Sequence, residues 1–328
     1  MSGHGTVIAM SNSPLRIFRG LDDAALIASR RVIVPGTFDG VHLGHSAVLT
    51  AARSSADASE SSVTVLTFDR HPAEVVRPES APRLLMSMDH KMEELAAHGV
   101  DEVLVLPFDI TLAMMPPDEF VDEVLIERLG TTTVVVGEDF HFGAHRSGSV
   151  ASLQYSGMHA DLVAISVPLR QRADGVHEPV SSTAIRRALD GGHVEEAAAM
   201  LGREFEVRGV VEPGDQRGRT IGFPTANIPV PKTMCFPADA VYAGWYERPN
   251  GDVVPTAISI GRRPTFYEHA NQSLLEAHLI DFSDDLYGET ARVRFVGLIR
   301  SQRRFDGIDA LKAQLTVDVA EVRALLGG

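Results

Sequence analysis

The sequence predicts a doubly wound α/β domain with a parallel sheet, followed by a small antiparallel β-barrel and a C-terminal helix. In the first part of the chain, short apolar strands alternate with helical segments, as in parallel sheets covered by helices. Beyond about residue 203 this alternation stops, and short strands separated by Gly, Pro and Asn turns continue to about residue 306. Roughly the last 20 residues then show the apolar spacing of an amphipathic helix.

The individual elements follow from apolar runs and from the residues that end them. In the α/β part we expect strands at 31–36, 63–68, 102–106 and 161–167, and in the run TTTVVV that starts at Thr131. A helix over 88–98 ends at Gly99, and another begins at Pro117 and ends at Gly130. The expected barrel strands are 205–211, 241–247, 253–260, 273–279 and 291–298.

Composition and charge limit the functional classes. The 328 residues suffice for two domains, and 44% hydrophobic with 23% charged residues is typical of a globular protein in water. A net charge of −14 argues against a nucleic-acid partner, so any nucleotide substrate should be a small molecule. The single cysteine, Cys235, and the lack of any apolar run near ~18 residues predict a cytoplasmic protein without a membrane span. The oligomeric state stays open.

The turn after the first predicted strand is a candidate phosphate site. PGTFDGVHLGH leads from this strand into a helix and places His42 and His45 three residues apart at the helix N-terminus. Unpaired N–H groups and imidazoles at such a position can bind phosphate oxygens. A metal pair has less support, because no third ligand is nearby in the sequence. The alternative is that both histidines only cap or fill the turn, which is the commoner meaning of a bare His-x-x-His pattern.

A second cluster of polar residues stands at the start of a later helix. In SSTAIRRAL, a serine cap is followed by Ser182, Thr183 and Arg186, which together could form another anion site. On spacing alone, simple capping with an exposed arginine is the better explanation.

Other predicted strands of the α/β part also end in polar groups. The second strand runs into a turn that contains His71 and Pro72, and the fourth leads into a Gly- and Ser-containing loop with Asp139 and Arg146. Because ligands bind at the carboxyl ends of parallel strands, these side chains could face the same crevice. An exposed surface charge is an equally good interpretation of Arg146.

The stretch GRTIGFPTAN, residues 218–227, is the candidate site of the second domain. Gly214 and Gly218 bracket a short loop whose N–H groups can approach an anion. Pro224 precedes Thr225 and Asn227, whose side-chain oxygens suit Mg²⁺. The spacing is too short for a Walker A loop, and an arginine stands where that loop needs lysine. A Gly-rich hairpin with a proline turn explains the same residues equally well.

The run SLLEAHLI contains a candidate general base. Strand alternation puts Leu275, Ala277 and Leu279 on one face, and Glu276 and His278 on the other. A carboxylate on this second face could accept a proton from a substrate. A solvated charge at a strand edge is equally consistent with the spacing.

Seven segments of the chain, taken in order, resemble the bifunctional bacterial riboflavin kinase/FAD synthetase family. They are PGTFDGVHLGH, TFDRHP, VGEDFHFG, SSTAIR, GDQRGRTIGFPTAN, SIGRRPTF and LLEAHLIDF, and the similarity extends from about Arg31 to the end. The resemblance implies a Rossmann-like nucleotidyltransferase domain, 1–187, which makes FAD from FMN and ATP. It further implies a helical linker, 188–202, and a β-barrel kinase domain, 203–328, which makes FMN from riboflavin and ATP with Mg²⁺.

The resemblance also assigns site residues in the adenylyltransferase domain. It gives His42 and His45 a catalytic role on the ATP phosphates. Further ATP and phosphate contacts are implied for Gly36, Phe38, Asp39, Gly44, Ser182, Thr183 and Arg186. A flavin and adenine pocket is implied for His71, Pro72 and Asp139.

In the kinase domain, the resemblance makes Glu276 the base that deprotonates the ribityl hydroxyl and Thr225 and Asn227 the Mg²⁺ and phosphate contacts. ATP and flavin contacts are implied for Gly218, Arg219, Thr220, Gly222, Pro224 and Arg300.

Three positions depart from the family's commoner pattern. Arg70 replaces a usual proline, Asp139 stands where many members have asparagine, and Arg263 where asparagine is frequent. None of them removes a residue assigned to chemistry, but each bears on substrate affinity. Two alternatives are an enzyme with one activity and a flavin or nucleotide sensor without turnover. The retained His, Thr, Asn and Glu residues argue against the first, and Glu276 argues against the second, because binding alone does not need a base.

Overall fold

The computed structural model divides the chain into two compact units. One comprises Met1–Pro82 and Ser87–Val180, and the other Arg83–Met86 and Ser181–Gly328. Within them the structure describes residues 14–23, 30–158, 160–214, 217–261 and 273–327. The division thus falls between Val180 and Ser181, while the domain limits expected at 187/188 and 202/203 stay predictions.

The first unit is built on a six-stranded sheet in which all hydrogen-bonded neighbours run parallel. Its strands, in chain order, are β1 (Arg16–Arg19), β2 (Arg31–Pro35), β3 (Ser62–Phe68), β4 (Glu102–Leu106), β5 (Thr131–Gly137) and β8 (Val163–Val167). Their spatial order is β1-β4-β3-β2-β5-β8. A two-stranded hairpin, β6 (His141–Phe142) with β7 (Gly148–Ser149), lies beyond β5.

Helical segments connect these strands. They are α1 (Leu43–Ser59), α2 (Pro72–Val76), α3 (Met88–Ala97), α4 (Ile110–Ala113), α5 (Pro117–Glu119) with a π-helical continuation Phe120–Arg128, and α6 (Val150–Gly157). The apolar strand residues that the sequence marks as buried form the core: Ile33, Leu66, Leu104 and Val134 are all 0% exposed and pack in one cluster. Burial of these central strands on both faces is what a parallel sheet requires.

A buried ion pair fixes the amino ends of the central strands. Glu102, at the start of β4, is 0% exposed and accepts hydrogen bonds from Arg31 Nε at 2.8 Å and Thr64 Oγ1 at 2.8 Å. Arg16 of β1 also pairs with this carboxylate. Since an unpaired buried charge is strongly destabilising, these contacts hold the registers of four strands together.

The second unit contains a nearly closed antiparallel barrel. Its strands are β9 (Phe205–Val210), β10 (Ala226–Val230), β11 (Ala240–Glu247), β12 (Val253–Gly261), β13 (Ser273–Leu279) and β14 (Thr290–Ser301), in the spatial order β10-β13-β12-β11-β14-β9. Glu212, just after β9, pairs with Asn227 of β10, so the two outer strands approach each other. The helices of this unit are α7 (Ser182–Asp190), α8 (Val194–Leu201), α9 (Arg217–Thr220) and α10 (Ile308–Leu326).

The expected fold class is therefore confirmed, with a few elements added or moved. The four-residue edge strand β1, the hairpin β6–β7 and strand β10 were not expected from the sequence, and β8 begins two residues later than expected. Asp161 adopts a left-handed backbone with φ of 50°, which delays the start of β8. Strand β10 contains Pro229 and follows Pro224, so its sequence does not have the pattern of a central strand.

We expect helix α8 to be part of the folding unit of the barrel. It packs on β9 and β14, and Glu195 Oε1 accepts a hydrogen bond from the N–H of Leu298 at 3.1 Å. Its buried side chains are Val194, Ala197, Met200 and Leu201. A fragment 203–328 should therefore be less stable than a fragment 181–328 by about 2 kcal/mol or more in urea denaturation. Equal unfolding midpoints would show that α8 does not stabilise the barrel.

Candidate functional site

The turn between β2 and α1 adopts an unusual backbone conformation. Phe38, Gly40 and Val41 have φ of 48°, 89° and 36°, and the left-handed region is rare for a β-branched residue such as Val41. Each such non-glycine residue costs about 1–3 kcal/mol of strain, which the surrounding packing must offset. Phe38 and Val41 are buried at 2% and 0% exposure. A Cβ on Gly36 would lie 3.0 Å from the Phe38 ring, so glycine at this position leaves room for that ring.

His42 and His45 close the turn by capping α1 reciprocally. His42 Nδ1 accepts the N–H of His45, and His45 Nδ1 accepts the N–H of His42, both at 3.3 Å. Because each Nδ1 is an acceptor, the proton of each neutral ring resides on Nε2. The capping alternative is thus realised in the structure, and the caps themselves direct an N–H donor of each ring away from the helix.

The two imidazoles are also stacked. Their centroids lie 3.7 Å apart at an interplanar angle of 16°, and the Phe38 ring lies 4.8 Å from that of His45. A Cβ on Gly44 would lie 3.1 Å from His42 Nδ1. Glycine at position 44 therefore lets the His42 ring lie against the first turn of the helix, where backbone N–H groups and the helix dipole favour anions.

Two charged residues bear on this turn: Asp39 lies within it, and Lys91 contacts it from helix α3. Asp39 is 2% exposed, and Lys91 Nζ of helix α3 donates to the carbonyl oxygen of Thr37 at 2.7 Å. Burial lowers the pKa of Lys91, and the attraction of the Asp39 carboxylate partly opposes this effect. The sequence pattern did not indicate Lys91, because it lies in a helix 54 residues after Thr37 and belongs to no motif.

The residues expected in the flavin and adenine pocket lie at the same edge of the sheet. His71 follows β3 and caps α2, with Nδ1 accepting the N–H of Ala73 at 3.1 Å, and Pro72 is the first residue of this helix. Asp139 is exposed and follows β5. Since β3 and β5 flank β2 and all three run parallel, their carboxyl ends bring these residues to the edge that carries the His42 turn.

Arg70, which departs from the family pattern, is bound to its neighbour. Arg70 Nη2 lies 3.0 Å from Asp69 Oδ2, and the N–H of Phe108 donates to Asp69 Oδ1 at 2.9 Å. Burial alone would raise the pKa of Asp69, but these hydrogen bonds outweigh it and lower the pKa. The added cation is thus partly neutralised before any ligand binds. Arg263, the third departure, lies outside the described residues.

Ser182, Thr183 and Arg186 lie in helix α7 of the second unit. Ser181 is the N-cap and accepts the N–H of Ala184 at 3.2 Å, so Ser182 and Thr183 form the first turn. Arg186 Nε donates to the carbonyl oxygen of Arg83 at 2.6 Å. The phosphate roles expected for these three residues stay predictions.

In the barrel, strand pairing brings Asn227 and Glu276 together. The two residues are directly opposite each other on β10 and β13, and Ser259 of β12 is opposite Glu276 on its other side. Paired residues of adjacent antiparallel strands point to the same face of a sheet. Leu275, Ala277 and Leu279 are 0%, 0% and 4% exposed, as the alternation predicts. Thus Glu276 and the amide of Asn227 share the face opposite to the core.

The backbone approaches this face closely at Gly214, and a second close approach, at Gly218, lies within the Gly-rich stretch itself. A Cβ on Gly214 would lie 2.2 Å from Asn227 Nδ2, and a Cβ on Gly218 would lie 2.2 Å from the carbonyl oxygen of Phe223. Only glycine permits these contacts. Downstream, His278 Nδ1 lies 2.7 Å from the carbonyl oxygen of Pro224, which connects the loop to β13. Arg219 and Thr220 are exposed, and Gly222 has φ of 89°.

Arg300 has a prominent structural contact. Its Nε and Nη2 atoms donate to the two oxygens of Asp318 at 2.8 and 2.7 Å, and Asp318, in helix α10, is 1% exposed. This bidentate pair joins α10 to β14. The ATP or flavin contact expected for Arg300 stays a prediction.

The side chains expected to hold Mg²⁺ in the barrel offer neutral oxygen donors. Among the described residues, no group of three or more His, Cys, Asp or Glu side chains is placed to hold a metal ion. The Thr225 hydroxyl and the Asn227 amide oxygen are instead hard oxygen donors, which fit Mg²⁺ and its preference for keeping several waters and phosphate ligands.

Comparison with known proteins decides the family. A family model described as FAD synthetase matches residues 25–184, and one described as riboflavin kinase matches residues 201–326. The bifunctional riboflavin kinase/FMN adenylyltransferases of Haemophilus influenzae and Escherichia coli are 35% and 36% identical to this chain, over 94% and 95% of it and 99% and 98% of their own lengths. This chain belongs to their family. The resemblance found in the sequence is confirmed, and the chain is a riboflavin kinase and FMN adenylyltransferase.

A solved structure agrees with the fold over most of the chain. The crystal structure of a protein described as a macrolide-efflux protein from Streptococcus pneumoniae has a TM-score of 0.84 and 30% identity, and covers 95% of this chain and 99% of that one.

No helix within the described residues is both long and apolar enough to cross a membrane.

We expect Gly214→Ala to impair riboflavin phosphorylation. The added Cβ would meet the Asn227 amide and displace either the loop or the amide, and a displacement of about 1 Å can cost on the order of 10²-fold in rate. Steady-state FMN formation measures the effect, with FAD formation from supplied FMN as the internal control. Gly251→Ala, which strains an exposed turn with no atom within 4 Å of the new Cβ, should keep the normal kinase rate. A fully active Gly214→Ala enzyme would show that this close approach is dispensable.

Proposed function

We propose that the two activities use two separate sets of residues, one around the His42 turn and the other around Asn227 and Glu276. In this scheme the chain first phosphorylates riboflavin with ATP and then transfers AMP from a second ATP to the FMN formed. The observation that carries the first assignment is the reciprocal cap, because it leaves both imidazoles with Nε2–H donors at a helix N-terminus. The cross-strand pair of Asn227 and Glu276 carries the second.

Adenylyl transfer needs charge stabilisation rather than a covalent nucleophile. An oxygen of the FMN phosphate attacks the α-phosphorus of ATP, the bond from this phosphorus to the bridging oxygen breaks, and pyrophosphate leaves. We assign His42 and His45 to donate from Nε2 to phosphate oxygens as negative charge moves to the leaving group. The N–H groups at the start of α1 bind the same phosphates. Ser182, Thr183 and Arg186 are further proposed phosphate ligands, and His71, Pro72 and Asp139 are proposed to contact the flavin or adenine.

His42→Asn separates the capping role from the proposed phosphate role. Asparagine is a good N-cap and can accept the same backbone N–H through its side-chain oxygen, but it has no group in the place of Nε2. We expect FAD formation to fall by on the order of 10²–10³-fold with little change in thermal stability, as when one preorganised donor is lost.

Riboflavin phosphorylation by the His42→Asn enzyme should be unchanged. The control variant is His193→Ala, which removes an imidazole that is 60% exposed in the other unit. If the asparagine variant forms FAD at the normal rate, His42 serves as a cap alone.

The kinase reaction needs a base and a neutralised triphosphate. We assign Glu276 to accept the proton of the ribityl hydroxyl as its oxygen attacks the γ-phosphorus and ADP leaves. Thr225 and Asn227 would hold Mg²⁺, which when bound supplies positive charge to the phosphate oxygens. Gly214 lies close to the Asn227 side chain, and we propose that backbone amides of the Gly-rich stretch bind the same phosphates.

Glu276→Gln tests the base. The amide keeps the shape of the carboxylate but cannot accept the proton, so kcat for FMN formation should fall by roughly 10²–10⁴-fold while the KM values change little. Glu247→Gln is the matched control, because it removes another strand carboxylate, which lies 3.9 Å from Arg294. If Glu276 only forms surface ion pairs, both variants should lose at most about 1 kcal/mol of stability and keep normal turnover.

One assay tests the whole scheme. Purified protein given riboflavin, ATP and Mg²⁺ should form FMN and then FAD, which chromatography resolves from riboflavin. Omission of Mg²⁺ should stop the first step. A cytoplasmic location, supported by the lone buried Cys235, and a lack of nucleic-acid binding, supported by the net charge of −14, complete the proposal.

A further inference from the structure

Lys91 of helix α3 contacts the turn before α1 through its ammonium group. Its Nζ donates to the carbonyl oxygen of Thr37 at 2.7 Å, and Thr67 Oγ1 of strand β3 donates to the same oxygen at 3.3 Å. Thr67 is 0% exposed. The Thr37 carbonyl is therefore held from a helix and from a strand, directly before the left-handed residues Phe38, Gly40 and Val41.

The charge of Lys91 is balanced in part by the carboxylate of Asp39. Asp39 is 2% exposed and attracts the ammonium group, whereas burial disfavours the charged form of Lys91. A buried carboxylate inside an anion-binding turn would repel phosphate unless a cation compensates it. With Lys91 in place, the Asp39 charge is offset, and the N–H groups at the start of α1 determine the local potential.

Helix α3 holds the far side of the same turn as well. His98 Nε2 lies 2.8 Å from Ser46 Oγ, and His98 Nδ1 lies 2.7 Å from the carbonyl oxygen of Glu94. Since a carbonyl only accepts, Nδ1 carries the proton, and Nε2 of the neutral ring accepts from Ser46. Helix α3 thus contacts the chain on both sides of His42 and His45, through Lys91 at one end and His98 at the other.

We propose that Lys91 is a positioning residue for adenylyl transfer, which fixes the Thr37 carbonyl and offsets the Asp39 carboxylate within the turn that receives the ATP phosphates. This inference rests on the proposed role of the His42 turn. It assigns Lys91 no contact with substrate. Its effect is to keep the strained backbone in the conformation that aims the amides and imidazoles at the phosphates.

The test uses the full chain with Lys91→Met, which keeps the length of the aliphatic stem but has neither charge nor donor. We expect kcat/KM for ATP in FAD formation to fall by on the order of 10–10²-fold, because small displacements of positioning groups have effects of this size. FMN formation from riboflavin by the same preparation should be unchanged. Lys312→Met, an exposed substitution on α10, is the matched control and should behave as wild type in both reactions.

Two further variants separate positioning from plain stability. Lys91→Arg keeps the charge but presents a planar fork in place of a single ammonium, so its kcat/KM should lie between those of wild type and Lys91→Met. Adding Asp39→Asn to Lys91→Met removes the carboxylate whose charge Lys91 offsets and should restore part of the lost kcat/KM for ATP, which a merely structural lysine would not predict.

The outcomes are distinct. A Lys91→Met enzyme that melts at a lower temperature but keeps the wild-type kcat and KM overturns the inference. If that variant is too unstable to assay, Lys91→Arg decides, and an Arg variant with the kcat/KM of Lys312→Met overturns it. Loss of activity in His42→Asn with none in Lys91→Met refutes this inference alone. Full activity in both variants refutes the proposed site itself.

Discussion

The first unit depends on one constraint: the chain must pass from a fully buried strand into a helix within seven residues and still satisfy the helix's first N–H groups. Its solution combines left-handed residues at Phe38 and Val41 with histidines that cap the helix. The capping hydrogen bonds require the tautomer with the proton on Nε2, so each ring has its N–H donor at that atom. The stacking of the two rings fixes the direction of both donors. The two side chains that meet this structural requirement of the backbone are the same two that we propose to bind phosphate.

In the barrel, the candidate site residues are positioned by strand pairing rather than by helix capping. There, regular strand pairing places Asn227 beside Glu276, and the lack of a side chain at Gly214 lets the backbone approach Asn227. In the proposed mechanism, rigid strands therefore hold the acid–base and metal-binding groups. A carboxylate on a strand is well suited to a base, because its position is fixed by the register rather than by a flexible loop.

The sequence predicted what local patterns determine. Apolar runs such as 63–68 and 102–106 gave buried strands, and the alternation around Glu276 gave the correct face. Strand β10 could not be predicted in this way, because its prolines resemble a turn and its pairing partner lies about fifty residues later. Lys91 and Asp318 were missed for a related reason. A charged residue in an amphipathic helix looks solvated in sequence, and only tertiary packing reveals that it meets a carbonyl oxygen or an arginine.

Four residues from the first half of the chain complete the second unit. Leu84 pairs with Met234, its N–H donates to the carbonyl oxygen of Thr233 at 2.7 Å, and its carbonyl oxygen accepts from Cys235 at 2.7 Å. The barrel unit is thus built from two separate segments of the sequence. During synthesis these four residues leave the ribosome long before their partners, so their hydrogen bonds form only after residues 233–235 have been made. A rearranged gene that carried the barrel alone would lose the backbone hydrogen bonds of Leu84 with Thr233 and Cys235.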